Sequence, residues 1–116
     1  MLKIAIVGSR DYANLPQIRH YVQSLPRGTI IVSGGARGVD SVAEAAAVEC
    51  GLQTLIFYPD WDKHGRSAGF IRNNDIIKSS DIVVAFWDGV SKGTLSSINL
   101  AKKYGKPLVI YLCVIS

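Results

Sequence analysis

The sequence predicts an α/β fold: a Rossmann-like open parallel five-stranded sheet with helices on both faces. Five short runs, Leu2–Val7, Thr29–Val32, Leu52–Tyr58, Asp81–Trp87 and Pro107–Val114, are apolar with little alternation, as strands covered on both faces must be. Four helical patterns separate them, and right-handed crossovers lay those helices on the two faces of the sheet. Gly/Ser-rich loops stand at the strand-to-helix handovers after the first, second and fourth runs.

Each element has a local reason. The first strand ends at Gly8. Asn14 can cap a helix that carries Leu15 and Pro16 at its start and Ile18, Val22 and Leu25 on one stripe, before Pro26 and Gly28 stop it. After the second strand and the loop Ser33–Asp40, the residues Val39, Val42, Ala43, Ala46, Ala47 and Cys50 recur at helical spacing until Gly51. Asp40 or Ser41 is expected to cap this helix, with Ser41-Val42-Ala43-Glu44 as a capping box. Pro59–Gly65 is expected to be loop, and Ser67–Ser79 a helix carrying Phe70, Ile76 and Ile77. Asp88–Gly93 is a second Gly/Ser loop, followed by a helix over Thr94–Tyr104 that Gly105 closes.

A length of 116 residues, with 48% hydrophobic and 19% charged residues, corresponds to one globular domain over residues 1–116. The apolar stretches are too short to span a bilayer and no signal peptide precedes the first strand, so a cytoplasmic protein without a membrane partner is expected. Cys50 and Cys113 lack CxxC spacing and a neighbouring His, which makes two buried, reduced thiols the expectation and leaves no metal site or cofactor implied. The net charge of +4 is not concentrated in a run of five or six like charges, which counts against nucleic acid as a partner.

The distribution of charge locates a site. Ligands of open parallel sheets bind beyond the carboxyl ends of the strands, where strand order reverses. The loops at that edge and the first turns of their helices hold Arg10, Arg37, Lys63, Arg66, Arg72 and Lys92, about half of the 13 lysines and arginines. Helix N-termini at the same edge add unpaired N–H groups that favour an anion. Gly34, Gly35 and Gly38 permit positive φ and close backbone approach, and Arg37 offers a planar fork of donors to a phosphate. The candidate ligand-binding residues are therefore Gly8, Ser9 and Arg10; Ser33, Gly34, Gly35, Ala36, Arg37, Gly38 and Asp40; and Asp88, Gly89, Ser91, Lys92, Gly93 and Thr94. Trp61, His64, Arg66, Phe70, Arg72, Asn73 and Asn74 add stacking and hydrogen-bond partners suited to a base or ribose. Neither P-loop nor GxGxxG spacing is present.

These motifs, in this order, resemble the SLOG superfamily: Gly8-Ser9-Arg10, Ser33–Asp40 with Ala43-Glu44, Ala68–Asn73, Asp81 and Gly93-Thr94. The likeness is greatest to its small stand-alone YspA/YpsA-related branch. The superfamily also includes the Lonely Guy phosphoribohydrolases and the Rossmann-like domain of DNA-processing protein A. The resemblance implies a nucleotide or nucleotide-derived ligand over the loops and assembly as a dimer or tetramer. It also makes Arg72 a candidate catalytic residue. The hydrolases' catalytic carboxylate is missing, because Ser96 and Ser97 follow Leu95. An oxocarbenium-like state needs such a carboxylate nearby.

Binding of a phosphorylated, nucleotide-derived small molecule without turnover, as sensor, carrier or sequestering protein, is accordingly the function expected from sequence. The alternative is a nucleoside 5′-monophosphate phosphoribohydrolase-like hydrolase in which Asp88 or Asp11 supplies the acid. DNA binding ranks third, since no basic stripe or helix-turn-helix is in view.

Overall fold

The computed structural model describes residues 1–113. The chain alternates β1 (Lys3–Gly8), α1 (Leu15–Gln23), β2 (Ile30–Ser33), α2 (Val39–Glu49), β3 (Gln53–Ile56), α3 (Trp61–His64), a 3-10 turn (Gly65–Ser67), α4 (Ala68–Lys78), β4 (Ile82–Trp87), α5 (Lys92–Lys103) and β5 (Leu108–Leu112). The five strands form one parallel sheet in the order β3-β2-β1-β4-β5. The Rossmann-like architecture expected from the apolar runs is therefore present. Val114, the last residue of the expected fifth strand, lies outside the described residues.

The strands read as continuous apolar runs because both faces of the sheet are covered. On one face Ile4, Ile6, Ile31, Val84 and Phe86 pack with Ile18 and Val22 of α1 and with Val39, Ala43, Ala46 and Ala47 of α2. On the other, Ala5, Val7, Val32, Val83 and Ala85 pack with Ile76 and Ile77 of α4 and Ile98 and Ala101 of α5. Phe86 is fully buried at the centre of the first layer. It stacks on Tyr111 at 5.1 Å and meets Tyr12 and Tyr21 edge-on.

Several local expectations are corrected. The helix expected from Thr94 begins at Lys92, because the Ser91 side chain accepts from Thr94 N–H and caps the helix two residues earlier. Asn14 makes no side-chain cap. Part of the expected loop Pro59–Gly65 is a helical turn, α3, capped by Asp60 accepting from Lys63 N–H. On α4, Ile76 and Ile77 face the sheet, while Phe70 is 66% exposed. Cys50 is exposed just past the end of α2, and Cys113 is only half-buried, so the expectation of two buried thiols fails. No helix among the described residues is long and apolar enough to cross a membrane.

The sheet order places β1 beside β4 in the middle, with Gly8 in register with Phe86. The chain moves outward in one direction from β1 through β2 to β3 and in the other from β4 to β5, which opens a crevice between the loops that follow β1 and β4. Truncating the aromatic side chain at the centre of the first layer tests its weight. Phe86→Ala should destabilise the fold by ~3–5 kcal/mol, measured as a lowered midpoint of urea unfolding.

Candidate functional site

The crevice is built by close backbone packing. A Cβ on Gly8 would lie 2.6 Å from Val39, so the end of β1 presses on the start of α2. Gly38 has a φ of +77°, and a Cβ there would lie 2.4 Å from the Arg10 carbonyl oxygen. The β1 loop thus crosses directly over the N-terminus of α2 and fixes where Arg10 emerges. From the same loop the buried Ser9 bridges to the other half of the sheet. Its hydroxyl hydrogen-bonds Thr94 Oγ1 at 3.3 Å and accepts from Asp88 N–H at 3.2 Å. The Asp88 carboxylate accepts from the N–H groups of Val90 and Ser91 at 2.9 and 2.8 Å. Partial desolvation opposes ionisation, but these two N–H groups and the Ser9 hydroxyl outweigh it and hold Asp88 below the usual carboxylate range.

The β2 loop is clamped by its own helix. Glu44 accepts from the Ser33 hydroxyl at 2.6 Å and from Gly35 N–H at 3.1 Å, and Asp40 accepts from Ala36 N–H at 3.2 Å. The Ser41 hydroxyl donates back to the Ala36 carbonyl at 2.8 Å. The capping box expected here is therefore absent. Gly38 occupies the N-cap, and Ser41 and Glu44 are turned back onto the preceding loop. From α4, Arg72 Nη1 donates to the Gly34 carbonyl at 2.5 Å, and its Nε donates to Asn73 Oδ1 at 2.9 Å. Gly34 has no positive φ, and a Cβ there would lie 2.7 Å from Arg72 Nη1, so any larger residue would displace the guanidinium from the Gly34 carbonyl. Gly35 has a φ of +69° and lies under the Tyr58 ring.

These clamps change the chemistry expected of the loop. Two N–H groups that sequence reasoning offered to a phosphate, those of Gly35 and Ala36, are already satisfied by carboxylates. Ser33, Gly34, Gly35 and Gly38 do not line the cavity between the loops, and Arg37 is exposed outside it. A cavity of about 340 Å³ does bring together Gly8, Arg10, Ala36, Asp40, Arg72, Asn73, Asp88, Ser91, Gly93 and Thr94 of the expected residues. Asp11 and Ser97 join them, the latter from one of the two positions where the hydrolases carry an acid. Lys92 lines a neighbouring apolar groove with Phe70, Leu95 and Ser96 instead. Ser9 and Gly89 are outside the lining, and Trp61 and Arg66 are exposed on α3 and the 3-10 turn.

Arg10 stands exposed at the rim, and Arg72 is half-buried in the wall. Burial lowers the pKa of Arg72 from the ordinary guanidinium value, while Asp40 opposes that shift. Asp40 is pushed up to about 6 by burial, against the stabilising influence of the Ala36 N–H and Arg72. Sequence reasoning missed Glu44 as the anchor of the loop. It also missed Tyr58, Asp60 and Asp75, which share a second cavity with Arg72. Spacing in the chain carries no signal for such contacts, which join α2 and α4 to a strand end.

Among known proteins, residues 1–61 match the family described as DNA recombination-mediator protein A. The chain is 30% identical over 119 residues to Gene 61 protein of Mycobacterium phage D29, covering 94% of this chain and 95% of that one. It is 32% identical over 87 residues to DNA processing protein DprA of Streptococcus pneumoniae, covering 66% of this chain and 30% of that one. DNA processing protein A from Helicobacter pylori, whose structure was described for its unique single-stranded DNA binding mode, superposes with a TM-score of 0.74 at 28% identity. That match covers 94% of this chain and 64% of the other. DprA from Streptococcus pneumoniae superposes with a TM-score of 0.83 at 22% identity, covering 95% and 50%. The chain thus spans less than two thirds of the length of each of these DNA processing proteins.

These relatives overturn the expectation of a free nucleotide-derived ligand and of nucleic acid as an improbable partner. They are DNA processing proteins, and one is described by its binding of single-stranded DNA. The physical reason is visible in the β2 loop: a multiply charged terminal phosphate calls for a nest of free N–H groups, and here those of Gly35 and Ala36 are bound internally.

Two measurements check the site's construction. Gly35→Val combines a positive φ with a Cβ 2.5 Å from Tyr58, so it should lower the thermal midpoint by several degrees, corresponding to ~1–3 kcal/mol. Asp40, with a folded pKa of about 6 above its ordinary 3.8, binds its proton more tightly folded than unfolded. Its ionisation therefore costs stability as pH rises through that window. Asp40→Asn keeps an acceptor for Ala36 N–H but cannot ionise. Relative to wild type it should gain up to roughly 3 kcal/mol in urea unfolding between pH 4 and pH 7.

Proposed function

The chain belongs to the DNA recombination-mediator protein A family, and from that premise we propose that it binds single-stranded DNA along the loop edge of its sheet. The observation that carries this is the pairing of Arg10 and Arg72 on one cavity at the switch point, with large aromatic side chains exposed on the flanking segments. Tyr58 is 69% exposed, Trp61 58% and Phe70 66%, and all three follow the C-terminal end of β3. Single strands are held by positive charge that tracks the backbone and by aromatic faces that stack on unpaired bases, a combination tolerant of sequence.

Arg10 is placed to meet a phosphodiester at the rim. Arg72 contributes charge from the wall while its bond to Gly34 keeps it extended into the cavity. Lys92 and the start of α5 lie beside them, where a helix N-terminus favours an anion. A phosphodiester carries a single charge and needs only such point contacts. The likeness to a relative described by its single-stranded DNA binding supports the same reading. Duplex DNA is disfavoured because its bases are already stacked and the described residues present no long basic helix face for a groove.

Arg10→Ala should weaken binding of a single-stranded oligonucleotide about tenfold, as loss of one charged contact implies. It should also reduce the slope of log affinity against log salt by ~0.7, both read by fluorescence anisotropy over a salt series. Unchanged affinity in Arg10→Ala and in Arg72→Ala alike would overturn the reading. Affinity should also rise as pH falls from 7.5 to 5.5, because Asp40 loses its negative charge near a pH of about 6. Asp40→Asn should flatten that dependence.

A further inference from the structure

A second cavity, of about 210 Å³, shares Arg72 with the first. Its other polar lining comes from Asp60, His64 and Asp75, and Tyr58 and Ile71 supply apolar surface. Two carboxylates make this a poor place for a phosphate. Asp60 uses Oδ1 to accept from Lys63 N–H, which leaves Oδ2 without a partner among the described residues. Asp75, exposed on α4, has no side-chain hydrogen bond or ion pair among them. The cavity therefore presents surplus acceptors beside an exposed aromatic ring, one arginine away from the cavity assigned above to the DNA backbone.

We infer that this cavity receives a base of the bound strand and selects for bases bearing an exocyclic amino group over thymine. The inference rests on the single-stranded DNA reading, since a phosphate held at Arg72 brings its own nucleoside within reach of the adjoining cavity. Cytosine N4 donates to a carboxylate. Thymine instead presents the O4 acceptor and a methyl group, so Asp60 and Asp75 would face an oxygen and remain unpaired. Tyr58 stacks on either pyrimidine alike, because every base has a π face. The discrimination therefore belongs to the carboxylates.

The test compares oligo(dC) with oligo(dT) of equal length, fluorescently labelled, by anisotropy at matched salt on the full chain. The expected result is tighter binding of oligo(dC) by roughly fivefold or more. Asp75→Asn and the double variant Asp60→Asn/Asp75→Asn should remove the preference by strengthening oligo(dT) relative to oligo(dC), because the Asn amide N–H can donate to thymine O4 where the carboxylate could only accept, while the loss of negative charge favours both strands alike. Asn at position 60 keeps the oxygen that caps α3, and Asp75 has no bond to lose, so both variants should fold, checked by circular dichroism. Equal binding of the two oligonucleotides by wild type overturns the base pocket and leaves the DNA reading standing. Persistence of the preference in folded Asp75→Asn and in the folded double variant also overturns the pocket. Failure of both oligonucleotides to bind overturns the two together.

Discussion

The hydrogen bond from Arg72 to the Gly34 carbonyl is the constraint on which the site depends. Arg72 belongs to α4, which covers one face of the sheet, and Gly34 belongs to the loop leading into α2, which covers the other. The bond closes the two layers over the strand ends and makes one side chain a wall of both polar cavities. A Cβ at Gly34 would displace the guanidinium from that bond. On the β1 side, Arg10 is fixed by its backbone lying over Gly38, and Ser9 ties that loop to Asp88 and Thr94. The geometry is thus held by backbone approach and short polar contacts, with little left to side-chain flexibility.

That construction has an electrostatic consequence. Asp40 and Glu44 hold the β2 loop by occupying N–H groups, so rigidity is gained where anion-binding capacity is lost. Asp88 does the same for the loop before α5. Positive charge at the edge then rests on discrete side chains, Arg10 and Arg72 foremost, rather than on a cradle of backbone donors. Discrete charges spaced along an edge suit a polyanion whose phosphates arrive singly.

The fold was legible because burial on both faces of a parallel sheet leaves an uninterrupted apolar run, and β1, β2 and β4 carry that mark. Of the candidate residues, those from Gly8 to Thr94 that line the cavity at the carboxyl edge were reachable from topology and the clustering of arginines. Roles within it were less legible. Glu44 stands three residues after Ser41, as a capping box requires, yet it folds back to Ser33 and Gly35 because Gly38 starts the helix earlier. Phe70 falls on one helical stripe with Ile77 by spacing, yet Ile77 is buried and Phe70 exposed, since the phase of a short helix is set by which residues the sheet accepts.

Sequence alone determined the alternation of five apolar strands with covering helices and pointed to the carboxyl edge of the sheet, because periodicity and loop composition are local properties. Only the tertiary structure decided which donors at that edge remain free. Whether a backbone N–H can meet a phosphate depends on whether a carboxylate from another turn or helix has already reached it. Those contacts span the loop and its neighbouring helices, so they exist only once β2, α2 and α4 are packed together.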